Sequence, residues 1–295
     1  MLNLESQKTQ LEKGFWLNRF SLSKNHELKT VIFMHPKQII IDGQFVTYYS
    51  NSSFENNQTT IVFLHGWRSE SKIWFPIISE LKKNLTGYNY LTIDLPGFGS
   101  SPTPKLAWKM VDYAQIVNEL IIKLNLQPVI LVGHSFGGRT SIKLAGEVWN
   151  KEKYEIEKII LTGSAGFADS TNTTNIKQKL AKTLKPMFNL PIISKLKPMI
   201  YKSIGADDYN ARKDLKQIFV NVISEDLSEQ MKKIKSQTLI ITGRNDESTP
   251  VSFGERMNRL IPNSKLQIIE NAGHFAFVDR PKEWLNVVQS FLAKK

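Results

Sequence analysis

Val132-Gly133-His134-Ser135-Phe136-Gly137-Gly138 is the stretch on which the fold turns. The apolar run Pro128-Val129-Ile130-Leu131-Val132 precedes it, and an amphipathic segment near 138–149 follows. The serine therefore stands where a strand hands over to a helix, the context that gives Gly-x-Ser-x-Gly its meaning as an elbow. Such a turn holds the serine in a strained backbone conformation, and the flanking glycines let strand and helix approach closely. The hydroxyl then projects above the strand end, at the N-terminus of a helix whose dipole favours developing negative charge.

Working outward, the same rhythm of short apolar strand, loop and amphipathic helix recurs on both sides. Strand-like runs occupy 60–64, 90–93, 128–132, 158–161, 237–241 and 265–269, and amphipathic segments lie near 72–84, 111–125, 138–149, 252–261 and 281–293. Continuous runs of branched apolar residues suit parallel strands buried on both faces. Ahead of them, Gln38-Ile39-Ile40-Ile41 and Gln44-Phe45-Val46-Thr47-Tyr48-Tyr49 flank Asp42-Gly43, a hairpin signal. The expected fold is α/β: a mostly parallel sheet of about eight strands between helices.

The rhythm breaks once. Residues 166–236 hold no convincing strand, carry a surplus of lysine and are punctuated by Pro186, Pro191 and Pro198. They read as a helical cap inserted after the sixth strand. The expected organisation is an N-terminal extension over 1–37, a core formed by 38–165 and 237–295, and the cap over 166–236.

Composition narrows the function classes. The chain has 295 residues, 41% of them apolar, and a net charge of +12. That excludes a disordered or collagenous chain. Cysteine is absent, which removes disulfides, thiolate metal sites and cysteine nucleophiles. The positive charge is mostly dispersed lysine, without a zinc-finger spacing or an arginine-rich block, so nucleic acid is not an expected partner. The polar, mixed-charge stretch Met1–Lys13 lacks the pattern of a secretory signal, and a cytoplasmic location is the expectation.

Five ordered motifs then carry a family resemblance. They are Leu64-His65-Gly66-Trp67, Asp94-Leu95-Pro96-Gly97-Phe98-Gly99-Ser100-Ser101, the elbow, Thr242-Gly243-Arg244-Asn245-Asp246, and Asn271-Ala272-Gly273-His274-Phe275. Each follows an expected strand. With them the chain, over about residues 38–293, resembles the α/β-hydrolase fold superfamily, whose serine members hydrolyse esters and lactones. The resemblance implies Ser135 as nucleophile, His274 in the loop after the last strand as its base, and Asp246 as the acid that orients the base. Glu247 and Asp169 are alternatives for the acid. His65 and His134 are read as structural, His134 as a support of the turn. The oxyanion donors implied are the backbone N–H groups of Phe136 and Trp67. The glycines of 94–101 lack the Gly-Lys-Ser/Thr ending of a phosphate loop, so that stretch is read as a turn beside the site.

A serine at 135, where related dehalogenases and epoxide hydrolases carry a carboxylate, points to acyl transfer to water. The expected substrate is a small-molecule carboxylic ester or lactone with a short or medium acyl group. The alternatives are a carbon–carbon bond hydrolase of the same fold and a non-catalytic receptor. No cofactor and no metal are expected. Phe167 and Phe275, with Met187, Phe188 and Met199 from the cap, are candidates for the pocket lining. The cationic and apolar stretch 182–197 is read first as a cap helix with a solvated lysine face and second as a membrane contact. The sequence does not give the oligomeric state.

Overall fold

A computed structural model describes residues 34–50, 54, 58–147, 153–168 and 213–293. Eight strands form one sheet: β1 (His35–Ile41), β2 (Gln44–Ser50), β3 (Thr59–Leu64), β4 (Tyr88–Asp94), β5 (Val129–His134), β6 (Ile156–Thr162), β7 (Gln237–Gly243) and β8 (Ser264–Ile269). Their order is β1-β2-β4-β3-β5-β6-β7-β8. The β1–β2 hairpin pairs antiparallel, as does β2 with β4, and every later pair is parallel. The α/β reading of the sequence holds, including the Asp42-Gly43 turn, where both residues have positive φ.

The apolar runs divide residue by residue between two cores, because successive side chains leave a strand on opposite faces. Val62, Leu64, Val129, Leu131, Ile159 and Leu161 face one layer. Ile61, Phe63, Ile130, Val132 and Ile160 face the other. The first layer is closed by helices α2 (Met110–Lys123), α3 (Phe136–Gly146) and α6 (Val251–Leu260), and the second by α1 (Phe75–Asn84) and α8 (Pro281–Leu292). Two helices, α4 (Lys213–Ser224) and α5 (Ser228–Lys233), precede β7, and a four-residue α7 (Ala276–Asp279) precedes α8. The segment expected to begin as a helix near 72 opens instead as a 3-10 turn, Ser71–Trp74, whose Trp74 stacks on Phe277 at 4.4 Å.

Most of the expected cap, 169–212, lies outside the described residues, as does the N-terminal extension up to residue 33. The two ends of the insertion meet at a neck. Leu227 donates its N–H to the Gly166 carbonyl at 2.7 Å, and a methyl group on Gly166 would run into the Met231 side chain. Just beyond the neck the buried Arg139 of α3 donates to the Glu225 carbonyl, and Lys143 bridges Glu147 (2.6 Å) and Glu225 (2.9 Å). Burial pushes the Arg139 guanidinium down to about 10, against the pull of Glu225 and Asp226. Helix α3 and the chain returning toward β7 are thus fastened together. Among the described residues no helix is long and apolar enough to cross a membrane.

Candidate active site

Parallel strands bring their C-terminal ends to one edge of the sheet, and the loops that follow β3, β5, β6, β7 and β8 meet there. Ser135 caps α3 with φ 52° and ψ −108°, a conformation that a non-glycine residue rarely holds. The turn is possible because a Cβ at Gly133 would stand 2.5 Å from the Gly137 carbonyl oxygen, and one at Gly137 would strike the Leu64 carbonyl. Strand β5, helix α3 and strand β3 therefore close on each other only with glycine at both places.

On one side of the serine lies the β3 loop. A Cβ at Gly66 would stand 3.4 Å from the Ser135 Cβ, so the peptide leading to Trp67 runs alongside the elbow. The backbone N–H groups of Trp67 and Phe136 donate to no described residue. Behind them is a nest of rings: Trp67 meets Phe98 at 4.8 Å, Phe136 at 5.3 Å and Phe219 at 5.1 Å. Edge-to-face and tilted contacts of this kind fix ring orientation beyond what apolar burial alone does. His65 is fully buried beneath them. Its Nδ1–H donates to the Gly66 carbonyl at 2.8 Å and its Nε2 accepts the Leu95 N–H at 3.0 Å, which locks the loop.

On the other side lies a pair contributed by the β7 and β8 loops. His274 Nδ1–H donates to Asp246 Oδ2 at 2.9 Å. Asp246 is buried, and its remaining lone pairs are filled by the N–H groups of Ser248 and Thr249, both at 2.8 Å, and by the Thr249 hydroxyl at 2.6 Å. Burial alone would push the Asp246 carboxyl up. The hydrogen bond and charge of His274, with the Thr249 donors, outweigh it and hold the group below its usual range. A charged carboxylate on Nδ1 leaves the Nε2 of His274 as the proton acceptor. The β6 loop packs on the pair, since a Cβ at Gly163 would stand 3.3 Å from His274 Nδ1 and 3.5 Å from Asp246 Oδ2.

The sequence candidates sort themselves by this geometry. Ser135, Asp246, His274, Trp67 and Phe136 converge on one edge. Glu247 is exposed and Asp169 lies outside the described residues. Phe275 packs 5.3 Å from the His274 ring and 4.7 Å from His134. Phe167 is buried, edge-on to Phe253 at 5.5 Å with the Arg256 guanidinium 3.8 Å above its ring, so it braces the neck. Met187, Phe188 and Met199 lie outside the described residues. Two residues packed beside Trp67 and the turn at Gly97 escaped the sequence reading. Phe219 rests on Trp67, and Leu215 lies so close over Gly97 that a Cβ there would stand 3.0 Å from it. Their signal was available in the helical spacing of Leu215, Ile218, Phe219 and Val222. No cluster of side chains among the described residues could hold a metal ion.

Comparison with known proteins agrees with this architecture. The model of the alpha/beta hydrolase family matches residues 61–287. The chain is 25% identical over 278 residues to monoacylglycerol lipase ABHD6 of Rattus norvegicus, covering 85% of this chain and 80% of that protein. It is 27% identical over 279 residues to the 2-hydroxy-6-oxononadienedioate/2-hydroxy-6-oxononatrienedioate hydrolase of Escherichia coli (strain K12), covering 85% and 93%. Among solved structures, an esterase from Exiguobacterium antarcticum superposes with a TM-score of 0.69 at 23% identity, covering 90% of this chain and all of that one.

Proposed function

The chain belongs to the alpha/beta hydrolase family, and from that premise we propose that it is a serine hydrolase of carboxylic esters or lactones. The observation that carries this reading is the 2.9 Å bond from His274 to a buried Asp246 whose oxygens all have donors, at the same edge of the sheet as a serine with strained backbone. In the proposed reaction Ser135 Oγ attacks the substrate carbonyl while His274 Nε2 takes the hydroxyl proton. The oxyanion is met by the N–H groups of Phe136 and Trp67, which are preorganised because both are fixed by the elbow and by the ring nest. His274 returns the proton to the leaving alcohol, or to the ring-opened hydroxyl of a lactone. Water then hydrolyses the acyl-enzyme by the same route in reverse.

The substrate's acyl group would lie on the rings of Trp67 and Phe219, beneath a cap formed by 166–236. That wall is apolar and aromatic, which favours short or medium acyl chains over charged ones. The likeness to a monoacylglycerol lipase supports ester chemistry in general. A second reading is cleavage of a carbon–carbon bond in a 2-hydroxy-6-oxo acid, favoured by the 27% identity to the Escherichia coli hydrolase.

The test is turnover of p-nitrophenyl esters of increasing acyl length, with an acyl-homoserine lactone alongside, by wild type and Ser135→Ala. Hydrolysis should fall by about a thousandfold or more in the variant. Equal rates in the two proteins would remove Ser135 from the mechanism. Ester-inert wild type that cleaves a 2-hydroxy-6-oxo acid would establish the second reading instead.

A further inference from the structure

His134 immediately precedes Ser135, and its side chain leaves the strand in the other direction, into the protein beneath the site. It is fully buried, 0% exposed. Its Nε2 lies 3.1 Å from the His274 carbonyl oxygen across 140 positions of sequence. A carbonyl can only accept, so Nε2 carries the proton and Nδ1 is a bare lone pair. That Nδ1 has no partner among the described residues and lies against Gly66, where a Cβ would stand 2.7 Å away. The ring is packed between those of His274 (4.7 Å), Phe275 (4.7 Å) and Phe277 (5.2 Å).

The neighbouring backbone groups of the His274 loop are held from the β7 loop and from the β8 loop itself. The Ala272 carbonyl takes the Asn245 N–H at 2.9 Å, the Phe275 carbonyl takes the Val278 N–H at 2.7 Å, and the Gly273 N–H goes to Asp279 at 2.9 Å. The His274 carbonyl is different: its donor comes from the strand that carries the nucleophile. We infer that His134 is a positioning residue, a strut whose Nε2–H ties the backbone of the base to the backbone of the nucleophile and so sets the distance between Ser135 and His274. The inference rests on the reading of Ser135 as nucleophile and His274 as base.

Chemistry favours a histidine for this task. The tether must donate, stay uncharged and fill a ring-sized space between three aromatic neighbours. Burial, reinforced by the proximity of His274, holds the His134 ring well below the ordinary histidine range, so it remains neutral. A neutral strut adds no positive charge beside His274, the ring that becomes an imidazolium during attack. Asp246 and His65 are the other titratable groups whose fields reach His134, one favouring and one opposing its charge. Without the donor, the His274 carbonyl would lose the partner that holds it, and the loop would shift toward another.

The experiment measures the rate at which an activated fluorophosphonate labels Ser135, with kcat and KM on p-nitrophenyl butyrate, in wild type and three variants. His134→Phe keeps the ring and removes the donor. His134→Gln carries an amide N–H at the reach of Nε2. His134→Asn carries one only at the reach of Nδ1, short of the carbonyl. Labelling and kcat should fall about 10- to 100-fold in His134→Phe and His134→Asn, with KM within about twofold, because sub-ångström misplacement of a base acts on the chemical step. His134→Gln should recover to within about fivefold of wild type. Should the phenylalanine variant fail to fold, the two amides, alike in polarity and different only in reach, decide the matter. Equal rates for Gln and Asn, or a phenylalanine variant as fast as wild type, would overturn the strut. Wild type that never labels overturns the nucleophile assignment itself, a failure distinct from equal variants of a protein that does label.

Discussion

Asp94 and Asp246 are two buried carboxylates at the C-terminal ends of two strands, and they invite comparison. Each accepts two backbone N–H groups at 2.8 Å: Ser71 and Ser100 for Asp94, Ser248 and Thr249 for Asp246. Each has a hydroxyl within reach, Tyr49 at 3.5 Å for the first and Thr249 at 2.6 Å for the second. Each lies in the field of a buried histidine, His65 or His134. One difference separates them. Asp246 also holds the imidazole of His274, which is only partly buried, while Asp94 spends its acceptors on protein backbone and on a turn so tight that a Cβ at Gly99 would collide with its carboxyl. Burial and hydrogen-bond count therefore do not distinguish a carboxylate that holds a loop from one suited to orient a base. The partner does: a partly exposed imidazole ring rather than backbone.

The largest expected effect tests that partner. In Asp246→Asn the amide oxygen should turn toward the Ser248 and Thr249 N–H groups, leaving the NH2 to face His274. Nδ1 must then accept, and the proton moves to Nε2, the atom that receives one from Ser135 in the proposed reaction. We expect kcat on an ester to fall by about ten-thousandfold with KM little changed. A loss below tenfold would place the acid elsewhere, and the contrast between the two carboxylates would collapse.

Asp94→Asn should do the converse. Both of its oxygens accept an N–H, so an amide sets a donor against a donor on one side. The chain should lose about 2–4 kcal/mol of stability in urea unfolding. The folded fraction should keep its esterase rate per active site, counted by fluorophosphonate labelling. A variant of full stability and reduced turnover would show that Asp94 acts in the reaction.

The most gradual effect concerns the histidines beside the two carboxylates. His65 and His134 are both held below the ordinary value of 6.5 by burial. The unfolded chain binds more protons than the folded one below that pH, so stability is whole above about 6.5 and falls as the pH drops. The slope is up to about 1.4 kcal/mol per pH unit for each ring. Asp246, held below 3.8, adds its own loss only at still lower pH. Melting temperatures from pH 8 to 5 should trace this decline, and His134→Gln should make it shallower. A flat curve in wild type would mean that both rings bind a proton in the folded state.

The sequence announced the two loops of this comparison unequally. Asp246 and His274 were legible because each follows an apolar strand run at the position the elbow's resemblance implies. The sheet was legible for a similar reason, since branched runs such as Ile159-Ile160-Leu161 have no polar face and must lie between two layers. Asp94 was legible as a turn, because Gly97 and Gly99 signal tight backbone without naming what they wrap around. The strut from His134 was not, because a bond spanning 140 positions leaves no periodicity. The wall was missed for another cause. Phe219 and Leu215 sit in a stretch whose neighbours, Met187, Phe188 and Met199, attracted the reading by composition, whereas a helical spacing near the end of the insertion carried more information than apolar content in its middle.

The neck at Gly166 and Leu227 has a consequence for the history of such a chain. Two backbone atoms 2.7 Å apart open and close the whole excursion between β6 and β7. The entropy of closing a flexible loop rises only with the logarithm of its length, so material can be added or removed beyond that point at a small fraction of a domain's stability. Arg139 and Lys143 hold the returning limb to the elbow's helix whatever lies between. Selection can in this way rewrite the segment between β6 and β7 while the sheet and the ends of its strands remain untouched.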